Sequence, residues 1–242
     1  MEEKKELKQA ERIQTSILAK PEKKFLVWAA SRMPKWVTSD MLTWFGVFGA
    51  FIAGLGYVLS NYNLNWIWMS SLGFVINWFG DSMDGSLARV RNQQRKLYGY
   101  YFDHNIDCVC EFFIFVGIGM SGLVNFWLAL LCYVVYLQLE VYVAINSKIK
   151  NEFKLTYAKL GPTEFRVFMI IVNCLLMYLV PVINVHHLYD LTIGRNTFHL
   201  EVQLMDYIGF GVWCILFVLY LISFFKDLHY FAKLDPLQKK ES

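Results

Sequence analysis

The sequence predicts an all-α polytopic membrane protein: six transmembrane helices preceded by a cytoplasmic interfacial amphipathic helix. Three observations carry this expectation. The 242-residue chain is 56% hydrophobic and only 18% charged, where soluble domains have about a quarter of their residues charged. Six apolar stretches, near 41–60, 65–88, 99–122, 125–146, 163–183 and 205–225, can each cross a hydrocarbon core, which takes about 20 helical residues. The basic residues are one-sided. With both termini cytoplasmic, 22 of the 23 Lys and Arg fall on the cytoplasmic side, and Arg195 falls opposite. That asymmetry favours an even number of spans.

The elements follow in order. Residues 1–36 form a cytoplasmic N-terminal segment, 37–226 a six-helix membrane domain and 227–242 a cytoplasmic tail. The start, MEEKKELKQAERIQ, has no apolar core and is not a signal peptide. Residues 22–33 read as an amphipathic helix that lays Phe25, Leu26, Trp28, Ala29 and Met33 into the membrane interface. Thr38 in "TSD" suits an N-cap for the first span. Gly46, Ala50 and Gly54 recur every four residues, a spacing that lets helices pack closely in lipid. Pro162 and Glu164 in "GPTEFR" suit the first turn of the fifth span. The loop 184–204 holds His186, His187 and His199, which read as solvated loop histidines rather than a metal site. The five cysteines lie in apolar stretches and read as small buried hydrophobes, without zinc-site spacing or a disulfide framework.

One stretch breaks the apolar pattern. GDSMDGSLARVRNQQRKLYGYYFDHNID, Gly80 to Asp107, carries Asp81, Asp84, Asp103 and Asp107 with Arg89, Arg91, Arg95 and Lys96. A second span continued to Arg91 is about 40 Å long, longer than a hydrocarbon core of about 30 Å. Its acidic end therefore reaches the cytoplasmic boundary, where the third span begins. Asp81 and Asp84 are spaced i,i+3, and Asp103 and Asp107 i,i+4, so each pair shares a helix face. Asn77 lies one turn before Asp81, and Glu111 one turn after Asp107.

Four carboxylates brought to one point repel one another and are costly to desolvate. Two divalent cations relieve both penalties. Hard oxygen donors suit Mg²⁺, or Mn²⁺ in its place, and a pair of such ions with room for phosphate oxygens is the clamp of phosphoryl transfer. The bland alternative is a set of helix-end aspartates paired with nearby arginines. Gly85, Ala88 and Gly99 leave space for a phosphate or ribose at the helix backbone, and Arg89 offers a planar donor fork. Arg91, Arg95 and Lys96 read as markers of the inner side.

These residues spell D-x2-D-G-x2-A-R-x9-G-x3-D-x3-D. The pattern resembles the signature of the CDP-alcohol phosphotransferase (CDP-alcohol phosphatidyltransferase) family, with all eight positions filled across residues 81–107. The resemblance implies an enzyme of phospholipid biosynthesis. Such an enzyme moves a substituted phosphate from a CDP-linked donor to an acceptor hydroxyl and releases CMP. It implies that Asp81, Asp84, Asp103 and Asp107 are metal ligands for two ions. It also implies that Gly85, Ala88, Arg89 and Gly99 line the nucleotide pocket. At least one substrate is then a membrane lipid, no nucleic acid is a partner, and the site faces the cytoplasm. Family members often pair through membrane helices, which makes a homodimer a candidate assembly that no residue here establishes.

Two residues compete for the role of base. Asp107 is the favoured base in much of the family, but a metal-bound carboxylate is a weakened one. His104 projects about 60° from Asp107 on a helix and titrates nearer neutral pH. "FDHNID" is also similar to the FDH-x-x-D run of choline and ethanolamine phosphotransferases, where that histidine is implicated. The same branch has a Thr-Glu pair comparable to Thr163 and Glu164, which leaves Glu164, like Asn77, open as an acceptor or supporting residue. Glu140 is a second intramembrane acid, placed to line a headgroup cavity or pair with Arg166. Two other classes remain: a membrane prenyltransferase with Asp-rich Mg²⁺ sites, and a divalent-metal transporter. The first places its Asp-rich motifs in separate halves of a larger bundle, and the second places acids near mid-membrane.

Overall fold

The computed structural model describes residues 11–12, 18–150, 152–153, 162–179, 186–193 and 196–236. Those residues are mostly helical. In order they form β1 (Glu11–Arg12), α1 (Ala19–Arg32), α2 (Ser39–Leu59), α3 (Ile67–Val90), α4 (Lys96–Gly119), α5 (Phe126–Lys150), β2 (Glu152–Phe153), α6 (Pro162–Leu179), β3 (His186–Ile193), β4 (Asn196–Gln203) and α7 (Leu204–Leu234). Among the described residues, α2, α5 and α7 are long and apolar enough to cross a membrane. The helices α3 and α4 each run 24 residues, and both carry acidic residues within their length.

The helix α2 is the centre of the packing, with α3 on one side and α4 on another. Small residues set the spacing. A Cβ built on Gly80 would lie 2.6 Å from Gly46 Cα, and one on Gly73 2.6 Å from Ala53 Cα. Both are nearer than real Cβ atoms come, so only glycine allows these backbones to touch. Gly54 faces a different neighbour, the backbone of Phe113 and Gly117 in α4. The expected four-residue stripe thus splits. Gly46 continues with Gly49, Ala53 and Gly56 toward α3, and Gly54 turns to α4.

The first helix starts earlier than expected and faces two ways. Leu26 and Ala30 are buried in a cluster with Val37, Leu42, Met83 and Leu87, while Phe25 and Trp28 stay exposed. Leu26 therefore packs on protein rather than in the interface. The Arg91 guanidinium, at the end of α3, donates to the carbonyls of Met33, Pro34 and Val37 at 3.1, 2.8 and 2.5 Å. It holds the turn between α1 and α2. Thr38 caps α2 as expected, its hydroxyl accepting from Met41 N–H at 3.2 Å.

At the other end of the bundle the expected loop is a β-hairpin. The antiparallel pairing of β3 and β4 sets His186 opposite Gln203 and His199 opposite Asp190. The His187 ring packs edge-on to Tyr207. Below it one carboxylate serves two helices. Asp206 accepts from Gln203 N–H at the start of α7 (2.8 Å) and from Asn125 N–H at the start of α5 (2.6 Å). All five cysteines are free.

Candidate active site

The turn between α3 and α4 assembles the site. Arg91 ends α3 and Asn92 adopts φ 53°, a left-handed conformation that asparagine tolerates. Gln93 N–H closes back on Ala88 O at 2.9 Å. α4 then begins at Lys96 and carries Asp103 and Asp107 back toward Asp81 of α3.

This brings three of the four aspartates together. Asp81, Asp103 and Asp107 each offer a carboxylate oxygen, and the three oxygens lie within 4.8 Å of one another. It is the one grouping of three or more potential metal-binding side chains among the described residues. Asp84 is turned toward α2. Its Oδ2 accepts from Thr43 Oγ1 at 2.6 Å, its Oδ1 from the Gly85 N–H, and its carbonyl from Ser39 Oγ at 3.0 Å. The donor set is made of hard carboxylate oxygens at one spot, which fits divalent ions such as Mg²⁺.

A cation already faces the group. Arg166, from the second turn of α6, donates from Nη1 to Asp81 Oδ2 at 2.7 Å, with only 13% of its side chain exposed. Of the two roles open to Glu140 from the sequence, lining a headgroup cavity or pairing with Arg166, the pairing is not formed. Instead Glu140 accepts from the Cys108 thiol at 3.5 Å. Beside Asp107 and Arg166 lies a cavity of about 40 Å³, walled by Asn77, Glu111 and Tyr136 and by the rings of Phe74, Phe115 and Phe165.

The remaining expected residues fall around this centre. Arg89 Nη2 donates to Ser86 Oγ at 3.1 Å and the guanidinium covers Gly85. A Cβ at Gly99 would meet nothing within 4 Å, so the backbone there is open to approach. His104 Nδ1 lies 3.9 Å from Asp103 Oδ2, and its ring packs on Tyr100 at 4.1 Å between centroids. Asn77 uses its amide in packing, donating to Gly46 O at 3.0 Å. Glu164 Oε1 accepts from Leu18 N–H at 3.0 Å. Arg95 pairs with Asp40 at 2.6 Å.

The chain belongs to the CDP-alcohol phosphatidyltransferase family, whose model matches residues 36–225. With its apolar helices, it is an integral membrane protein. It is similar to a phosphatidylinositol phosphate synthase of Cutibacterium acnes, with 28% identity over 100 residues. That match takes in 40% of this chain and 46% of the relative, so the chain spans about half the length of that protein. No solved structure matches.

Proposed function

We propose that this chain is a phospholipid-synthesis transferase. It moves a substituted phosphate from a CDP-linked donor to an acceptor hydroxyl, at least one of the two being a membrane lipid. The acceptor oxygen bonds to phosphorus, the bond from phosphorus to the CMP oxygen breaks, and the hydroxyl proton passes to a base. One observation carries the reading: three carboxylates from two consecutive helices converge within 4.8 Å, inside the family's signature segment.

Asp81, Asp84, Asp103 and Asp107 would hold two Mg²⁺ or Mn²⁺ ions. When bound, such ions neutralise the donor's diphosphate and take up charge on the departing nucleotide. Thr43 and the Gly85 N–H keep the Asp84 carboxylate in one orientation. Arg89, beside Gly85, and the open backbone at Gly99 receive the CDP group, the guanidinium donating to phosphate. Ala88 lies one turn from Asp84 and keeps that wall low. Six spans, cytoplasmic termini and a cytoplasmic site belong to the same reading, on the strength of the one-sided basic residues. A homodimer also belongs to it, by analogy with the family.

His104 is the proposed base, with Asp107 as its rival. The Nδ1 of His104 lies 3.9 Å from Asp103 Oδ2, which places the imidazole beside the aspartate group. His104→Ala is expected to lower kcat by about 10² to 10⁴, the usual worth of a positioned base. Near-normal turnover of this variant over about pH 6 to 9 assigns the role away from His104. The function itself is tested with membranes, Mg²⁺ and a radiolabelled CDP-donor. CMP release that depends on both acceptor and Mg²⁺ is the expected result. Prenyl transfer, or metal flux without CMP, points to the alternative classes.

A further inference from the structure

We infer that Glu22, on the surface helix α1, is a positioning residue for the aspartate cluster. Its Oε1 accepts three hydrogen bonds from two other helices. Trp78 Nε1 donates at 2.8 Å and Ser82 Oγ at 3.0 Å, both from α3, and Thr163 Oγ1 donates at 2.9 Å from α6. Ser82 directly follows Asp81 in the chain. Thr163 lies three residues before Arg166, the partner of Asp81, and so near it on the helix surface. One carboxylate oxygen therefore joins the turn that carries Asp81 to the turn that carries its counter-charge.

The link is double. Glu164 of α6 accepts from the Leu18 N–H at the start of α1, while Glu22 of α1 accepts from Thr163 at the start of α6. The first turns of α1 and α6 thus clamp each other. Phe25, one turn along α1, stacks on Trp78 with ring centroids 6.1 Å apart and keeps the indole N–H aimed at Glu22. Glu22 bonds to α3 and α6, which pack on each other, so it acts on the carboxylate group by setting where those two helices meet. It does not enter the cluster. Removing it frees α6 to shift against α3 and lets Asp81 drift from its two neighbours.

This inference rests on the proposed metal-binding function, and its test separates the two. Mn²⁺ binding to the detergent-solubilised protein is measured by titration calorimetry, alongside CMP release at graded Mg²⁺. In Glu22→Ala the Mn²⁺ affinity is expected to fall about tenfold, the scale on which supporting partners of metal ligands act. The half-saturating Mg²⁺ rises in step, while kcat at saturating Mg²⁺ changes less than the half-saturation. Glu22→Gln, which keeps the acceptor oxygen, restores the wild-type affinity. Equal Mn²⁺ affinity in Glu22→Ala and wild type overturns the inference, as does a fall in stability with no change in affinity. A wild-type protein that binds no Mn²⁺ overturns the proposed function instead. Should Glu22→Ala fail to fold, Thr163→Val removes the α6 arm alone and must show the same weakening.

Discussion

Replacing Asp107 with asparagine is expected to reduce CMP release by about 10³-fold or more. Asp107 both joins the three-carboxylate group and lines the adjoining cavity, beside Arg166. Asparagine keeps the shape of the side chain and removes its charge. The loss reflects several kcal/mol of charge stabilisation at the reacting phosphate, at about 1.4 kcal/mol per factor of ten. Labelled CDP-donor with purified, monodisperse protein gives the measurement. Turnover within tenfold of wild type would remove Asp107 from the chemistry, whether as ligand or as base.

The second large effect is on folding. Gly80→Val is expected to cost about 3 kcal/mol or more, because its Cβ would sit 2.6 Å from Gly46 Cα and equally near Leu42 O. Neither neighbour is a side-chain tip that can swing aside, so α2 and α3 must part along their length. The aspartate turn moves with them. Thermal unfolding in detergent should show the apparent Tm lowered by more than about 5 °C. Gly211→Val is the matched control, since a Cβ there meets nothing within 4 Å. Similar Tm values for the two variants would show that the seam tolerates a side chain.

The helices were legible because hydropathy reports burial in lipid or protein one segment at a time. Three of the four aspartates were legible for a related reason: i,i+4 spacing puts Asp103 and Asp107 on one face of α4, a short turn from Asp81 of α3, whereas Asp84 turns to Thr43. What escaped notice was non-local. Arg166 reaches Asp81 across 85 residues, Thr43 reaches Asp84 across 41, and Thr163 reaches Glu22 across 141. No local pattern announces such pairs. Asn77 combines a local and a non-local role. Its place one turn before Asp81 puts it in the wall of the cavity beside Asp107, and its amide also closes the α2 seam at Gly46. The hairpin did leave a local trace. Two strand-like runs, HHLYDLTI and NTFHLEVQ, flank Gly194 and Arg195, a spacing that signals a tight connection.

The shared capping by Asp206 bears on how the chain is made. The α5 helix begins at Phe126, but the carboxylate that satisfies its leading Asn125 N–H is translated 81 residues later. A nascent chain must therefore thread α5 into the bilayer before its start is closed, and leave that start to water at the headgroups meanwhile. Closure comes only when the first turn of α7 is in place, so Asp206 acts as a latch between the two helix starts.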